Sequence, residues 1–242
     1  LLGQSRMIVS EQAGTTRDVV DVTVEIEGHA FTFLDTAGIR KKAAAKERME
    51  VVSSIKARRS IGRSDCCLLV LNGEEGVTSQ DRALAGMIDK DGRGAIVALN
   101  KWDLVSERFS SGEAGDAFIK EVRQNLKSLR YAPVVSTVAL SGKRLPKLLE
   151  WLVRVAEIQQ RILPAGELGD FIQALQARTP IPTPGGKQTE IYRMAQLSAA
   201  PARFRLFVRG FVPEHYMKFI ENSLREQWDF EGVPIHFVVV RV

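Results

Sequence analysis

Short β-rich runs alternate with longer helical stretches between Val19 and about Gln160, and this alternation constrains the fold more than any other feature. It predicts an α/β fold, a mostly parallel sheet with helices on both faces. The predicted strands are Asp21 to Ile26, Ala30 to Asp35, Cys66 to Leu71, Ala95 to Asn100 and Pro133 to Val138. The predicted helices, which have apolar residues three and four apart, are Lys46 to Ile61, Ser79 to Asp91, Gly112 to Leu129 and Leu145 to Ile162. A hairpin turn is predicted at Glu27 to His29.

A second, smaller domain is predicted after the ILPAGELG stretch, which gives domains at 1–163 and 164–242. Its helices and strands are predicted in the order α-β-β-α-β, typical of a small α+β domain. These elements are Leu168 to Ala177, Thr189 to Leu197, Arg203 to Val208, Pro213 to Gln227 and Ile235 to Val240.

Composition excludes several classes of protein. Hydrophobic residues make up 45% of the 242 residues and charged residues 26%, which excludes a disordered or collagen-like chain. No apolar run approaches the ~18 residues that a membrane span needs. The two cysteines, Cys66 and Cys67, are adjacent, so their side chains point to opposite faces of a strand and form no disulfide framework. A cytoplasmic protein is therefore expected.

The net charge of +5 is unevenly distributed along the chain. The segment from Arg40 to Arg63 contains nine basic residues and only two acidic ones, Glu47 and Glu50, so this basic segment has a charge of +7. Two interpretations remain open, a solvated helix surface and a patch that contacts phosphates. The candidate RNA contacts in the second interpretation are Lys41, Lys42, Arg58 and Arg59.

Two short motifs have chemistry suited to Mg²⁺ and phosphate. AGTTRD, residues 13–18, offers threonine hydroxyls for Mg²⁺ and a glycine that lets the loop fold close to a ligand. DTAG, residues 35–38, follows an apolar strand, so Asp35 can hold Mg²⁺ through water and the Gly38 amide can donate to a terminal phosphate. Each motif alone is also ordinary turn chemistry.

A third motif, NKWD at residues 100–103, also follows a strand directly. Its chemistry suits recognition of a guanine base, because the Asp103 carboxylate can accept two N–H bonds that adenine does not offer as a pair. Asn100 is suited to a polar contact with the base edge or a neighbouring loop, and the Lys101 stem to packing over the ring. The three motifs follow one another in an order that suits a single crevice at the strand ends.

With these motifs in this order, the sequence resembles the translation-factor-like class of small GTPases. Through RKKAAAKERMEVVSSIKARRSIGRSD and LLVLNGEEGVTSQD the resemblance narrows to the second GTPase domain of the Der (EngA) family of bacterial double GTPases. The C-terminal part resembles the KH-like domain of that family through IYRMAQLSAAPARFRLFV and YMKFIENSLREQWDFEGVPIHF. This covers essentially the whole chain.

The resemblance implies a GTP-binding and GTP-hydrolysing factor for assembly of the large (50S) ribosomal subunit, with rRNA as partner and another GTPase domain upstream. It implies GTP or GDP and Mg²⁺ as cofactors, with K⁺ as a further candidate. The nucleotide-binding residues carried over are Thr15, Thr16, Asp35, Gly38, Asn100, Lys101, Asp103, Ala139 and Leu140, with Thr16 and Asp35 as the Mg²⁺ ligands.

The sequence departs from the family pattern in several places. Val138 stands where a guanine-loop serine is usual, so only Ala139 and Leu140 match, although the backbone N–H that contacts guanine needs no side chain. Ile39 cannot orient a water by hydrogen bonding, and we name no general base; Arg17 is an alternative nearby charge. A phosphate-binding loop, G-x-x-x-x-G-K-[ST], is expected upstream of Leu1, and without it we expect the 242 residues to hydrolyse GTP poorly.

The KH-like part lacks the GXXG loop with which KH modules bind single-stranded RNA. An Era-like GTPase with an RNA-competent KH domain is therefore disfavoured. The aromatic side chains of this part are predicted to lie in its core: Tyr192, Phe204, Phe207, Tyr216, Phe219 and Trp228. The alternative to the enzyme is a non-enzymatic scaffold that binds rRNA or ribosomes and has a degenerate or truncated nucleotide site.

Overall fold

The computed structural model describes residues 9–10, 21–34, 57–107, 112–182 and 189–241. The chain forms two compact units, 1–154 and 155–242. Among the helices within the described ranges, none combines the length and apolar character that a bilayer span requires.

The N-terminal unit contains a three-stranded antiparallel sheet, β1 (Val9–Ser10), β2 (Val22–Ile26) and β3 (His29–Phe33), in that order. The hairpin turn is only two residues long, because His29 already pairs with Ile26. Glu27 and Gly28 have φ angles of 49° and 80°, the positive values that a tight hairpin of this hand requires. The three-residue turn predicted from the sequence was one residue too long, because His29 already belongs to β3. The two-residue strand β1 was not predicted.

The second sheet of this unit is parallel, as predicted, and consists of β4 (Cys66–Asn72), β5 (Gly94–Asn100) and β6 (Val134–Ser136) in the order β4-β5-β6. The central strand β5 is buried from Gly94 to Leu99, as expected where helices cover both faces. Burial also raises the pKa of the Cys66 and Cys67 thiols on β4, so both stay protonated and neutral near pH 7.

In the described part of this unit, four helices lie at predicted positions and differ at their ends, and a fifth, Trp102–Ser106, was not predicted. Residues 57–63 are helical (α1); the rest of the predicted helix Lys46 to Ile61 lies outside the described residues. The predicted helix from Gly112 ends at Asn125, because Leu126 leaves helical geometry before a short 3₁₀ turn at Lys127–Leu129. The other helices are α2 (Ser79–Lys90), α3 (Trp102–Ser106), α4 (Gly112–Asn125) and α5 (Leu145–Ile158).

Two apolar clusters hold these elements together. The larger cluster joins α2 and α4 to β4 and β5, with Leu71, Leu99 and Val122 nearly or fully buried. The smaller cluster joins Val24 and Ile26 of β2 to Val153 of α5. A capping box between Thr78 and Asp81 starts α2 directly after the loop that leaves β4.

The C-terminal unit has the predicted order α-β-β-α-β, formed by α6 (Ala165–Arg178), β7 (Glu190–Ser198), β8 (Ala202–Arg209), α7 (Glu214–Gln227) and β9 (Ile235–Arg241). Its sheet has the order β7-β8-β9, with β7 and β8 antiparallel and β8 and β9 parallel. Gln176 of α6 donates to the Ile191 carbonyl and accepts from the Ile191 N–H, both at 2.8 Å, and so fixes this helix to β7.

Candidate functional site

Three loops leave the parallel sheet at one edge, where β4, β5 and β6 end side by side. Asn72 at the end of β4 pairs with Asn100 at the end of β5, and Leu99 pairs with Ser136 at the end of β6. In open α/β sheets the ligand crevice lies at the carboxyl ends of the strands. This edge is therefore the candidate site.

Asn100 connects two of these loops. Its side-chain Oδ1 accepts a hydrogen bond from the Ala139 N–H at 3.0 Å, across 39 residues of sequence. Of the two contacts that the sequence left open for Asn100, the structure shows the one to the neighbouring loop. This bond places residues 139–140 next to Lys101 and the start of α3.

Gly73 provides the closest approach between the loop after β4 and the end of β5. Its N–H donates to the Asn100 carbonyl at 2.9 Å. A Cβ at this position would lie 2.7 Å from Cγ2 of Val105 and 2.9 Å from the Asn100 carbonyl oxygen. Real Cβ atoms do not come this close, so only glycine fits. Sequence reasoning missed Gly73, although its position directly after a strand end is a usable signal.

The Asn72 side chain stabilises the same loop by hydrogen bonds. The side chain is buried, its Oδ1 accepts from the Glu74 N–H at 3.2 Å, and its Nδ2 donates to the Glu75 carboxylate. An asparagine that bonds to its own following residues stabilises a turn without a helix or strand. The loop after β4 is therefore shaped by Asn72 and packed in place through Gly73.

Lys101 has a left-handed backbone conformation, with φ 59° and ψ 37°, at the point where the chain turns from β5 into α3. Its Nζ lies 3.1 Å from Oε2 of Glu74, and both side chains are partly exposed. The ion pair holds the ammonium end of Lys101 towards the loop after β4. Glu74 is a partner that sequence reasoning missed, because 27 residues separate the two.

Asp103 lies in the first turn of α3 and is exposed. The backbone beside it is fixed by two hydrogen bonds: Trp102 N–H donates to the Thr137 carbonyl at 3.1 Å, and Thr137 N–H donates to the Leu99 carbonyl at 2.8 Å. The Trp102 ring packs against Phe118 of α4. The carboxylate of Asp103 is thus presented to solvent from a backbone that is held on both sides.

The loop after β6 is closed by an antiparallel bridge between Val138 and Lys143, in which the Val138 N–H donates to the Lys143 carbonyl at 3.1 Å. Arg144 donates to the Ser136 hydroxyl behind it. Leu140 at the tip is fully exposed. A site here would meet the backbone of residues 139–140 and not a packed apolar side chain.

The remaining predicted site residues divide into two groups. Arg58 and Arg59 are exposed on helix α1. No cluster of three or more histidine, cysteine, aspartate or glutamate side chains suited to a metal occurs in the described part of the chain. The following lie outside the described residues: Thr15, Thr16, Arg17, Asp35, Gly38, Ile39, Lys41 and Lys42.

The chain is similar to known proteins along most of its length. Residues 1–101 match the family described as 50S ribosome-binding GTPase, and residues 163–239 match the KH-domain-like family of EngA bacterial GTPase enzymes, C-terminal. GTPase Der of Alkaliphilus oremlandii is 36% identical over 99% of this chain and 54% of that protein. GTPase Der of Halothermothrix orenii is 40% identical over 97% of this chain and 53% of that protein.

An Era protein of Aquifex aeolicus, solved with GDP and AlF₄⁻, has a TM-score of 0.46 at 19% identity, over 96% of this chain and 84% of that one. The chain spans about half the length of the curated relatives it matches.

A parallel sheet with NKWD at a strand end, followed by an α-β-β-α-β unit, defines a GTPase-type α/β domain joined to a KH-like domain. The relatives narrow this class further. The chain belongs to the GTPase Der (EngA) family.

Proposed function

We propose that the protein containing this chain binds and hydrolyses GTP and acts in assembly of the large ribosomal subunit in the cytoplasm. Two findings support the proposal: the family to which the chain belongs, and the arrangement of the loops at the sheet edge. The observation that carries it is the bond from the Ala139 N–H to Asn100, because it joins the two loops that a guanine ring must contact.

In this proposal Asp103 accepts two N–H bonds from the guanine edge. The stem of Lys101 packs over the base while its ammonium stays paired with Glu74. Asn100 holds the Ala139 N–H and so positions the next residue, Leu140, whose backbone N–H would donate to the guanine carbonyl oxygen. The five residues, Asn100, Lys101, Asp103, Ala139 and Leu140, all lie at the carboxyl edge of the parallel sheet.

The phosphate half of the proposed site consists of Thr15, Thr16, Asp35 and Gly38. Thr16 and Asp35 would hold Mg²⁺, and Gly38 would donate its N–H to the γ-phosphate. K⁺ is a candidate for additional charge neutralisation near the phosphates. We name no catalytic base.

The proposed domains are a GTPase domain at 1–163 and a KH-like domain at 164–242. The proposed partners are the large ribosomal subunit with its rRNA and another GTPase domain upstream in the same polypeptide. The family model for residues 1–101, described as a 50S ribosome-binding GTPase, supports the choice of subunit.

The direct test compares the affinities of different nucleotides for the polypeptide encoded by the whole open reading frame. Titration with fluorescent GDP should give micromolar-range affinity, with unlabelled GDP and GTP competing and ADP failing to compete. Equal competition by GDP and ADP would refute the guanine assignment.

A second candidate function is a non-enzymatic scaffold that binds rRNA or ribosomes, with a degenerate or truncated nucleotide site. The observation that favours it is the exposure of Arg58 and Arg59 within the basic segment. Neutralising both, together with Lys41 and Lys42, should flatten the salt dependence of ribosome binding. An unchanged slope leaves the segment as a solvated helix surface. The codons upstream of Leu1 discriminate further, since a G-x-x-x-x-G-K-[ST] motif there supports the enzyme.

A further inference from the structure

The sheet of the C-terminal unit has two chemically different faces. Along the central strand β8, Ala202, Phe204, Leu206 and Val208 are fully buried, while the residues between them are exposed or partly buried. The buried residues and the buried sides of α6 and α7 form the core of the unit. Because side chains alternate along a strand, the intervening residues lie on the opposite face, which we call the open face.

The open face is rich in arginine. Strand β8 contributes Arg203, Arg205, Phe207 and Arg209. The register places Arg193 of β7 beside Phe207, and His236 and Val238 of β9 beside Arg203 and Arg205. The one acidic residue paired with this row is Glu190, opposite Arg209. Four guanidinium groups therefore share this face with one carboxylate.

Two aromatic rings lie among these arginines. A β-bulge between Ile191 and Arg193 leaves Tyr192 without a pairing partner on β8, and its ring centre lies 5.9 Å from that of Phe207. The Arg193 guanidinium carbon lies 5.4 Å from the Phe207 ring centre. Tyr192 is 44% exposed and Phe207 lies on the open face, so the predicted place in the core was wrong for both, whereas Phe204 and Tyr216 are buried as predicted. Phe219 and Trp228 are partly buried.

The arginines of the open face remain available to a ligand. Within the described ranges, no hydrogen bond or ion pair engages the side chains of Arg193, Arg203, Arg205 or Arg209. The Nε of Arg205 is shielded from solvent and has no hydrogen-bond partner in the described part of the chain. By contrast, Arg225 on α7 is paired with Glu221 and with the Phe230 and Val233 carbonyls. Unpaired guanidinium groups concentrated on one face favour an anionic partner.

We propose that the open face binds single-stranded RNA, with the arginines on phosphates and with bases stacked on Tyr192 and Phe207. Charge alone would suit an acidic protein equally well. The exposed aromatic ring next to guanidinium groups adds a surface on which any base can stack, and this combination is typical of single-strand binding. The site lies on the sheet surface, so it does not require the GXXG loop that the chain lacks.

The choice of RNA over DNA rests on the proposed ribosomal function. Binding at the open face is otherwise independent of the nucleotide site, so the two proposals can fail separately. An RNA titration without GTP tests the open face alone, and GDP binding by the same preparations reports on the other site.

The first experiment measures binding of a fluorescein-labelled, unstructured RNA decamer to the whole chain by fluorescence anisotropy. Arg193→Gln with Arg203→Gln should weaken binding about tenfold and reduce the slope of log affinity against log salt by about 1.4, since each single-strand phosphate contact contributes about 0.7. The matched control is Arg178→Gln with Lys218→Gln on the helices, which should leave affinity within about twofold. Equal losses in both pairs, or no measurable RNA binding by the parent chain, would overturn the proposal.

The second experiment tests stacking. Tyr192→Leu keeps apolar bulk at an exposed position but removes the aromatic ring, and it should weaken decamer binding about tenfold. Phe219→Leu on α7 is the control and should have little effect, with circular dichroism confirming that both variants fold. Unchanged affinity for Tyr192→Leu, equally tight binding of duplex RNA, tighter binding of a DNA decamer, or displacement by polyglutamate at matched charge would each contradict the proposal.

Discussion

Replacing Gly73 by alanine should destabilise the loop after β4 at the candidate site. The new Cβ would lie 2.7 Å from Cγ2 of Val105 and 2.9 Å from the Asn100 carbonyl oxygen. Ordinary carbon contacts are about 3.5–4.0 Å, so one neighbour must move by about 1 Å. The Asn100 oxygen belongs to the central strand β5, and Val105 is buried, so neither can move freely. Overpacking of this kind costs about 2 kcal/mol.

The same substitution at Gly86 provides a matched control of opposite sign. Gly86 lies inside helix α2, and a Cβ there meets nothing within 4 Å. Gly86→Ala should therefore stabilise the chain by about 0.5–1 kcal/mol through helix propensity.

Urea unfolding, monitored by the fluorescence of Trp102, measures both effects. Trp151 and Trp228 are replaced by phenylalanine in all variants, so that only Trp102 contributes to the signal. Gly73→Ala should lower the unfolding free energy of the N-terminal unit, and adding Val105→Ala should recover part of the loss. A neutral Gly73→Ala, or strict additivity of the two substitutions, would refute the close-approach argument.

Two further predictions follow from particular contacts. Asn100→Ala removes the acceptor of the Ala139 N–H and should cost about 1 kcal/mol, which raises the amide exchange rate of Ala139 roughly fivefold. Asn100→Asp is the control, because it keeps an acceptor there. Equal protection of Ala139 in both variants would contradict this. Because burial raises the pKa of Cys66 and Cys67 in the folded chain above the ordinary value of 9.0, only the unfolded chain loses these protons just above pH 9. The unfolding free energy should therefore fall as pH rises from 9 to 10.5, by up to about 1.4 kcal/mol per pH unit for one thiol, and Cys66→Ala should reduce that slope; an identical slope in both proteins would count against buried, neutral thiols.

Much of the fold could be predicted from local patterns, because apolar periodicity depends on which face of an element is buried. The elements of the C-terminal unit begin and end within about three residues of their predicted positions. Strand β1 was missed because two residues carry no periodicity, and its existence depends on pairing with β2. Tyr192 was misplaced because a bulge shifts the alternation of β7, and a bulge depends on the partner strand.

The candidate site could be predicted only in part. NKWD pointed to Asn100, Lys101 and Asp103 because their functional groups suit guanine at that spacing. Glu74 could not be identified, since its pairing with Lys101 depends on how the loop after β4 folds back. The Asn100–Ala139 bond likewise depends on β5 and β6 being neighbours, which no local pattern specifies.

The central claim is that Asp103 at this sheet edge selects a guanine base, and Asp103→Asn tests it most directly. On the polypeptide encoded by the whole open reading frame, the substitution should weaken GDP binding at least about 100-fold. One guanine N–H then faces an NH₂ donor in place of an acceptor, and the other N–H loses its charged acceptor. Binding of xanthosine diphosphate should improve, since asparagine can donate to the oxygen that replaces the guanine amino group. Asp116→Asn, the same change at an exposed position of α4, should alter neither affinity. Unchanged GDP affinity in Asp103→Asn would contradict the claim.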